Sequence, residues 1–247
     1  MAGGGLDSVS MSKSVSQTPS ITLPKVLFGI NALVAWCGVL LSFTLNASGY
    51  YPPDTSTPTL FGDNPVGIDG LVGRLLDWIT YFTILSNVIV AIVMTLLFLR
   101  PDRDSKLMRV LRLDTLLMII ITGVIYNLLL GPGVSHQGWD FFSNGLQHVI
   151  TPILTVLVWL IVGPRRWINL KVIALSLIIP ILWAVFALVR GAIIGAYPYS
   201  FLDVATKGLT SVLAFIGVIM VVAIILALVL MGIDAVISAW TRRAKRS

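Results

Sequence analysis

Six long apolar runs, at about 25–46, 76–99, 111–131, 145–163, 172–190 and 208–232, constrain this chain more than any other feature. Each holds roughly 20 residues, and an α-helix of that length crosses a hydrocarbon core of roughly 30 Å. Together they use about half of the 247 residues, so connections and tails remain but no second domain. Only 11% of the chain is charged, against roughly 25% in soluble domains. The expected fold is therefore all-α: a polytopic integral membrane protein with six transmembrane helices over 21–240. It is flanked by a Gly- and Ser-rich tail, 1–20, expected to be disordered, and a basic tail, 241–247.

Charge placement supports the same count. Fourteen of the 17 Lys and Arg fall before the first run, in the second and fourth connections, or at the C-terminus. Cytoplasmic loops accumulate such cations, so both termini are expected to be cytoplasmic and the protein to be multi-pass in the cell membrane. The other connections carry Arg74, Arg190 and Lys207 among six Asp residues. The basic segments 100–112 and 241–247 read as topology determinants that contact anionic lipid. No nucleic-acid partner is expected, because these cations lie against the membrane. Trp78, Trp139, Trp167, Tyr197 and Trp240 stand near helix ends, where aromatic belts form.

Several chemistries are excluded. All 11 acidic residues are Asp, which removes glutamate-based mechanisms. One cysteine, Cys37, allows neither an intrachain disulfide nor a CxxC pair. His136 and His148 are too few for a convincing zinc site, so no metal and no cofactor are expected. The connection 47–75 is rich in Pro, Gly, Asp and Thr and serves either as a lid or as a tether.

Polar side chains at membrane depth are expensive and therefore informative. Thr80, Thr83 and Asn87 share one face of the second helix; Asn144, His148, Thr151 and Thr155 share one face of the fourth. Counted from helix starts near Leu76 and Gly145, Thr83 and His148 lie at similar depth, about 10 and 5–7 Å below the outer surface. Tyr126, Asn127, Arg190, Lys207, Thr210 and Ser211 fall at the same level, whereas the inner halves of these helices are aliphatic. The pattern predicts a pocket open to the outer leaflet. A hydroxyl and an imidazole at matched depth supply the minimum for acyl transfer, with Thr83 as nucleophile and His148 as base. Asn144, Asp140, Asp203 and Asp77 are all candidates to orient the ring, and Asn144 or Asn87 to hold the ring or the oxyanion.

Three segments, TYFTILSN (80–87), NGLQHVITP (144–152) and GAYPYSFLD (195–203), resemble the androgen-induced and androgen-dependent membrane protein family, more closely its bacterial six-helix relatives. That family includes hydrolases that cleave fatty acid esters of hydroxy fatty acids with a threonine nucleophile and a histidine. The resemblance places these roles on Thr83, after Phe82, and on His148, between Asn144 and Pro152. It matches Tyr199, Phe201, Leu202 and Asp203 to a Tyr-Pro-Phe-Leu-acid segment, with Ser200 in place of the proline. It covers about 75–232. Two departures stand out: Ser86 occupies the position of an acid in the animal enzymes, and the histidine-to-proline spacing is one residue shorter.

The implied function is a membrane-embedded threonine hydrolase of a lipidic ester, its partners being membrane lipids, with Asn87, Asn127, Asn144, Thr151, Arg190, Tyr199 and Asp203 around the site. A lipid-binding or sensory protein that grips a head group through Arg190 and Lys207 is the alternative. A transporter using His148, Asp114 and Asp234 ranks third, because the two acids do not continue a polar path. The absence of an internal repeat also weighs against it.

Overall fold

The computed structural model describes residues 22–244, so the tail expected over 1–20 and the last residues of the basic tail lie outside the described residues. Helices make up nearly all the regular structure there: α1 (Leu23–Ser48), α2 (Leu71–Thr80), α3 (Phe82–Leu99), α4 (Lys106–Leu130), α5 (Gly138–Val162), α6 (Leu170–Ile194), α7 (Val204–Lys207) and α8 (Leu209–Ala244). All but α2 and α7 are long and apolar enough to span a membrane, so the molecule is an all-α polytopic membrane protein. Six crossings return the chain to the face on which it began.

Local sequence sets the boundaries. Gly49 ends α1 in the left-handed region, φ 71°, which a residue with a Cβ adopts at a cost. Ser105 and Asn169 cap α4 and α6 by accepting the Met108 and Val172 amides. Pro180 has no N–H for the Ser176 carbonyl, and α6 is interrupted just there, at Leu177.

The bundle closes around two apolar cores. Phe28, Ala32 and Ala35 of α1 pack on Val90, Met94 and Leu97 of α3, with Ile119 of α4 and Val158 of α5 completing the layer. Leu113, Leu117 and Trp159 meet Val172, Ile173, Ala227 and Leu230 to bring in α6 and α8. The small side chains on α1 let its axis lie close to α3, and this is the most extensive helix pair. Most of α8 is exposed apolar surface, as suits a lipid-facing helix.

Most boundaries shift by a few residues from the sequence expectation, and three differences matter here. The second apolar run is not one helix: Tyr81 adopts an extended conformation, ψ 131°, and separates α2 from α3. The fourth begins at Gly138 rather than Gly145, and the last continues to Ala244 rather than stopping near 232. Gly138 is reached because Asp140 sits in a favourable first turn, and the helix-forming pattern simply persists past Met231.

The long connection packs across the end of the bundle opposite the termini. Arg74 reaches from α2 into it, donating to the carbonyls of Asn46, Pro65 and Gly67 at 2.7–2.9 Å and to that of Ala47 at 3.4 Å. Farther along, in a Leu60–Tyr197 bridge, the Phe61 N–H donates to the Tyr197 carbonyl and the Tyr197 N–H to the Thr59 carbonyl, and the Thr59 hydroxyl donates to Asp203 at 2.6 Å.

Candidate active site

The break at Tyr81 makes Thr83 part of a helix N-terminus. The first amides of a helix have no intrahelical partner, and the Thr83 N–H donates to the Tyr199 hydroxyl at 3.4 Å. On the other side of the break, the freed Thr80 carbonyl accepts from Trp183 Nε1 at 2.8 Å. Thr83 is therefore held from α3, from α6 and from the 195–203 segment.

His148 is placed by a different irregularity. Residues 146–150 form one π-helical turn inside α5, and Pro152 follows at once. A proline cannot bond to the carbonyl four residues earlier, which is that of His148. Asn127 of α4 supplies the missing donor at 3.1 Å, and also bonds the Gly123 carbonyl at 2.8 Å. Gly123 has no side chain where Pro152 approaches, so α4 and α5 can touch at this level.

The two irregular segments bring Thr83 Oγ1 and His148 Nε2 to 3.2 Å. His148 Nδ1 lies 3.3 Å from the Asn144 main-chain oxygen. A carbonyl only accepts, so the proton belongs on Nδ1 and the Nε2 lone pair faces the threonine hydroxyl. No carboxylate touches this ring among the described residues. Asp77, Asp140 and Asp203 are engaged elsewhere, and the orienting group is the Asn144 main chain.

The other residues singled out from sequence fall around this pair. Asn87 donates both amide protons to main-chain oxygens, of Thr83 at 2.9 Å and Gln147 at 3.3 Å, so it ties α3 to α5 rather than serving an oxyanion. Thr151 is buried, with no hydrogen bond to its hydroxyl among the described residues. Arg190 pairs with Asp77 at 2.6 Å and lies over the Phe61 ring, which removes it from the free head-group site expected; Lys207 is exposed. Asp203 caps α7 and receives Thr59. Burial acts to raise its carboxyl, but the Thr59 and Thr206 hydroxyls and the Thr206 and Ala205 amides outweigh it and hold the group below the usual range. Burial pushes the Tyr199 phenol up to about 12, which keeps its proton in place. Ser86 donates to the Thr83 carbonyl and shares a hydrogen bond with the Thr122 hydroxyl, so the contact at this position is neutral.

The helix starts differ from those expected. Thr83 belongs to the helix that starts at Phe82 and His148 to the one that starts at Gly138, and their 3.2 Å contact puts the two at a common level.

A second histidine cluster was not anticipated. His136 Nδ1 bonds Asp140 Oδ2, Asp140 Oδ1 accepts from the Tyr51 hydroxyl at 2.8 Å, and His136 Nε2 meets the Tyr126 hydroxyl at 2.5 Å. The sequence signal was the four-residue spacing of His136 and Asp140 at a helix start. Tyr126 stacks on His148, with ring centroids 3.6 Å apart and planes 18° from parallel.

Two cavities meet at the pair. A polar vestibule of about 740 Å³ is lined by Tyr51, Asn64, Asp77, His136, Asp140 and His148, among others. A narrow apolar slot of about 70 Å³ runs between Leu117, Ile121, Trp183 and Met220. Thr83, Tyr126, Leu130 and Tyr199 line both. The Thr83 hydroxyl thus stands where a cavity with polar lining borders an apolar one. Compared with protein-family models, curated proteins and solved structures, the chain matches none.

Proposed function

We propose that the protein is a threonine hydrolase of a lipidic ester, such as a fatty acid ester of a hydroxy fatty acid. It would lie in the cell membrane with cytoplasmic termini and the vestibule on the outer-leaflet side. The observation that carries this reading is the 3.2 Å contact between Thr83 Oγ1 and His148 Nε2 beside the junction of the two cavities. The resemblance of its three motifs to the androgen-induced family supports it independently.

The chemistry follows from the placement. Thr83 Oγ1 attacks the ester carbonyl carbon as its proton passes to Nε2. The Tyr199 hydroxyl, still protonated and beside Thr83, donates to the developing oxyanion. The tetrahedral species collapses by breaking the ester C–O bond, and the imidazolium returns its proton to the leaving alkoxide. Water from the vestibule then attacks the acyl-threonine, gives its proton to Nε2, and releases the carboxylic acid while Thr83 recovers its proton. The apolar slot receives part of an acyl chain and the vestibule admits water.

The test is labelling of the full chain in detergent with a fluorophosphonate, which forms an Oγ–P bond as fluoride leaves. Wild type should be labelled, and Thr83→Ala and His148→Ala should not be. Labelling that persists in both variants overturns the assignment. The lipid-binding reading has lost one of its two cations to Asp77, and no specific observation favours it.

A further inference from the structure

His148 must become a cation during the proposed reaction, and an acid on Nδ1 ordinarily stabilises that cation in a hydroxyl–histidine pair. Here Nδ1 faces a neutral carbonyl, in a half-buried place where an uncompensated charge is costly. The face of Tyr126 lies against the imidazole instead, at 3.6 Å and nearly parallel. Aromatic faces carry negative charge density and attract cations within about 6 Å.

What stands behind Tyr126 strengthens this. An ionised Asp140 only accepts, so a neutral His136 carries its proton on Nδ1 and presents Nε2 as an acceptor. The Tyr126 hydroxyl must then donate to His136, which shifts electron density into the ring that covers His148. Tyr51 donates to the other Asp140 oxygen, and burial followed by that hydrogen bond keeps its phenol above the usual value. The titratable groups facing His148 are thus Tyr126 from α4 and, behind it, His136 and Asp140 from the start of α5.

We infer that Asp140 performs the task of the missing triad acid at one remove, through His136 and the Tyr126 ring, which stabilises the His148 imidazolium by stacking. The inference rests on the Thr83–His148 reading. Tyr126, His136 and Asp140 are positioning residues, since none of them takes the threonine proton.

Fluorination separates an electronic role from a packing role, because it withdraws density from a ring while nearly preserving its shape. Tyr126→Phe, followed by mono-, di- and trifluorophenylalanine at the same position, should slow fluorophosphonate labelling stepwise, roughly ten-fold over the series. His136→Gln and Asp140→Asn should each slow labelling several-fold when Tyr126 is present, and change nothing further in a Tyr126→Phe background. A flat fluorine series, or a His136→Gln effect that survives without the Tyr126 hydroxyl, overturns the inference. If wild type is not labelled at all, the hydrolase reading fails, and ¹⁵N NMR decides the stacking separately. With only two histidines in the chain, His136→Gln identifies the His148 signal. The fraction of His148 in the imidazolium form at a fixed, mildly acidic pH should fall as fluorine is added. An unchanged fraction refutes the stacking role.

Discussion

Two hydroxyl–histidine pairs stand in one vestibule and are built in opposite ways. Tyr126–His136, at the rim, has a carboxylate directly behind its ring. Thr83–His148, at the border of the apolar slot, has only a main-chain carbonyl. An ionised acid is tolerated where water reaches it and is expensive where it does not. The rim pair keeps the charge, and the inner pair keeps the aliphatic hydroxyl and the apolar neighbours that a lipid needs. Separating charge from the Thr83–His148 pair in this way suits the proposed site, which would face both water and acyl chains.

The comparison breaks most sharply at the inner pair. Thr83→Ala and His148→Ala should each lower labelling by about 10³-fold or more, and the double variant should be no worse than either single one, because the two groups act as a unit. Tyr199→Phe removes the proposed oxyanion donor and should cost about 10²-fold in turnover with little change in KM, read with a lipidic ester of moderate chain length.

The acids sharpen it further. Asp77 neutralises Arg190 and serves neither histidine, so Asp77→Asn should leave Arg190 without its counter-charge and lower stability by about 2 kcal/mol, seen as a lower Tm. Labelling per folded molecule should stay unchanged, whereas Asp140→Asn should behave the other way round. The smallest effect is expected from Asp203. A carboxyl held below its unfolded value of about 3.9 stabilises the fold above that pH, and its contribution disappears as pH falls through the lower folded value. Acidification below about pH 4 should therefore loosen the 49–70 connection at its Thr59 anchor, measured by amide hydrogen exchange of Thr59–Phe61 against the α3 core.

How far these features could be read from sequence depends on whether the cause was local or long-range. The six spans follow from apolar run length alone, a local property set by the bilayer. The meeting of Thr83 with His148 was visible because each sits on a polar stripe with helical spacing, and a stripe inside a membrane must face another. The break at Tyr81 was not visible: nothing in TYFT forbids a helix, and the extended residue is held by Trp183 and Tyr199, more than a hundred positions away. The orienting group was missed because it is a main-chain oxygen, which sequence presents at every position. His136 was weighed only as a metal ligand, so its spacing to Asp140 went unused. Arg74 gave no sign either, since its partners are main-chain carbonyls, of Asn46, Ala47, Pro65 and Gly67.

The π-helical turns carry a last consequence. Tyr126 and His148 each open or occupy one, marked by the Gly131 N–H reaching back five residues to Tyr126 at 2.7 Å and the Thr151 N–H to Leu146. Such a turn holds one residue more than an α turn, and each extra residue rotates what precedes it by about 100° about the axis. The stack of the two rings is therefore set by a surplus of one residue in each helix. Deleting one residue from either segment would leave the span long enough for the bilayer yet swing a ring out of register. Single-residue insertions and deletions here, rather than substitutions, are the changes by which a lineage can keep the scaffold and exchange the residue that covers the histidine.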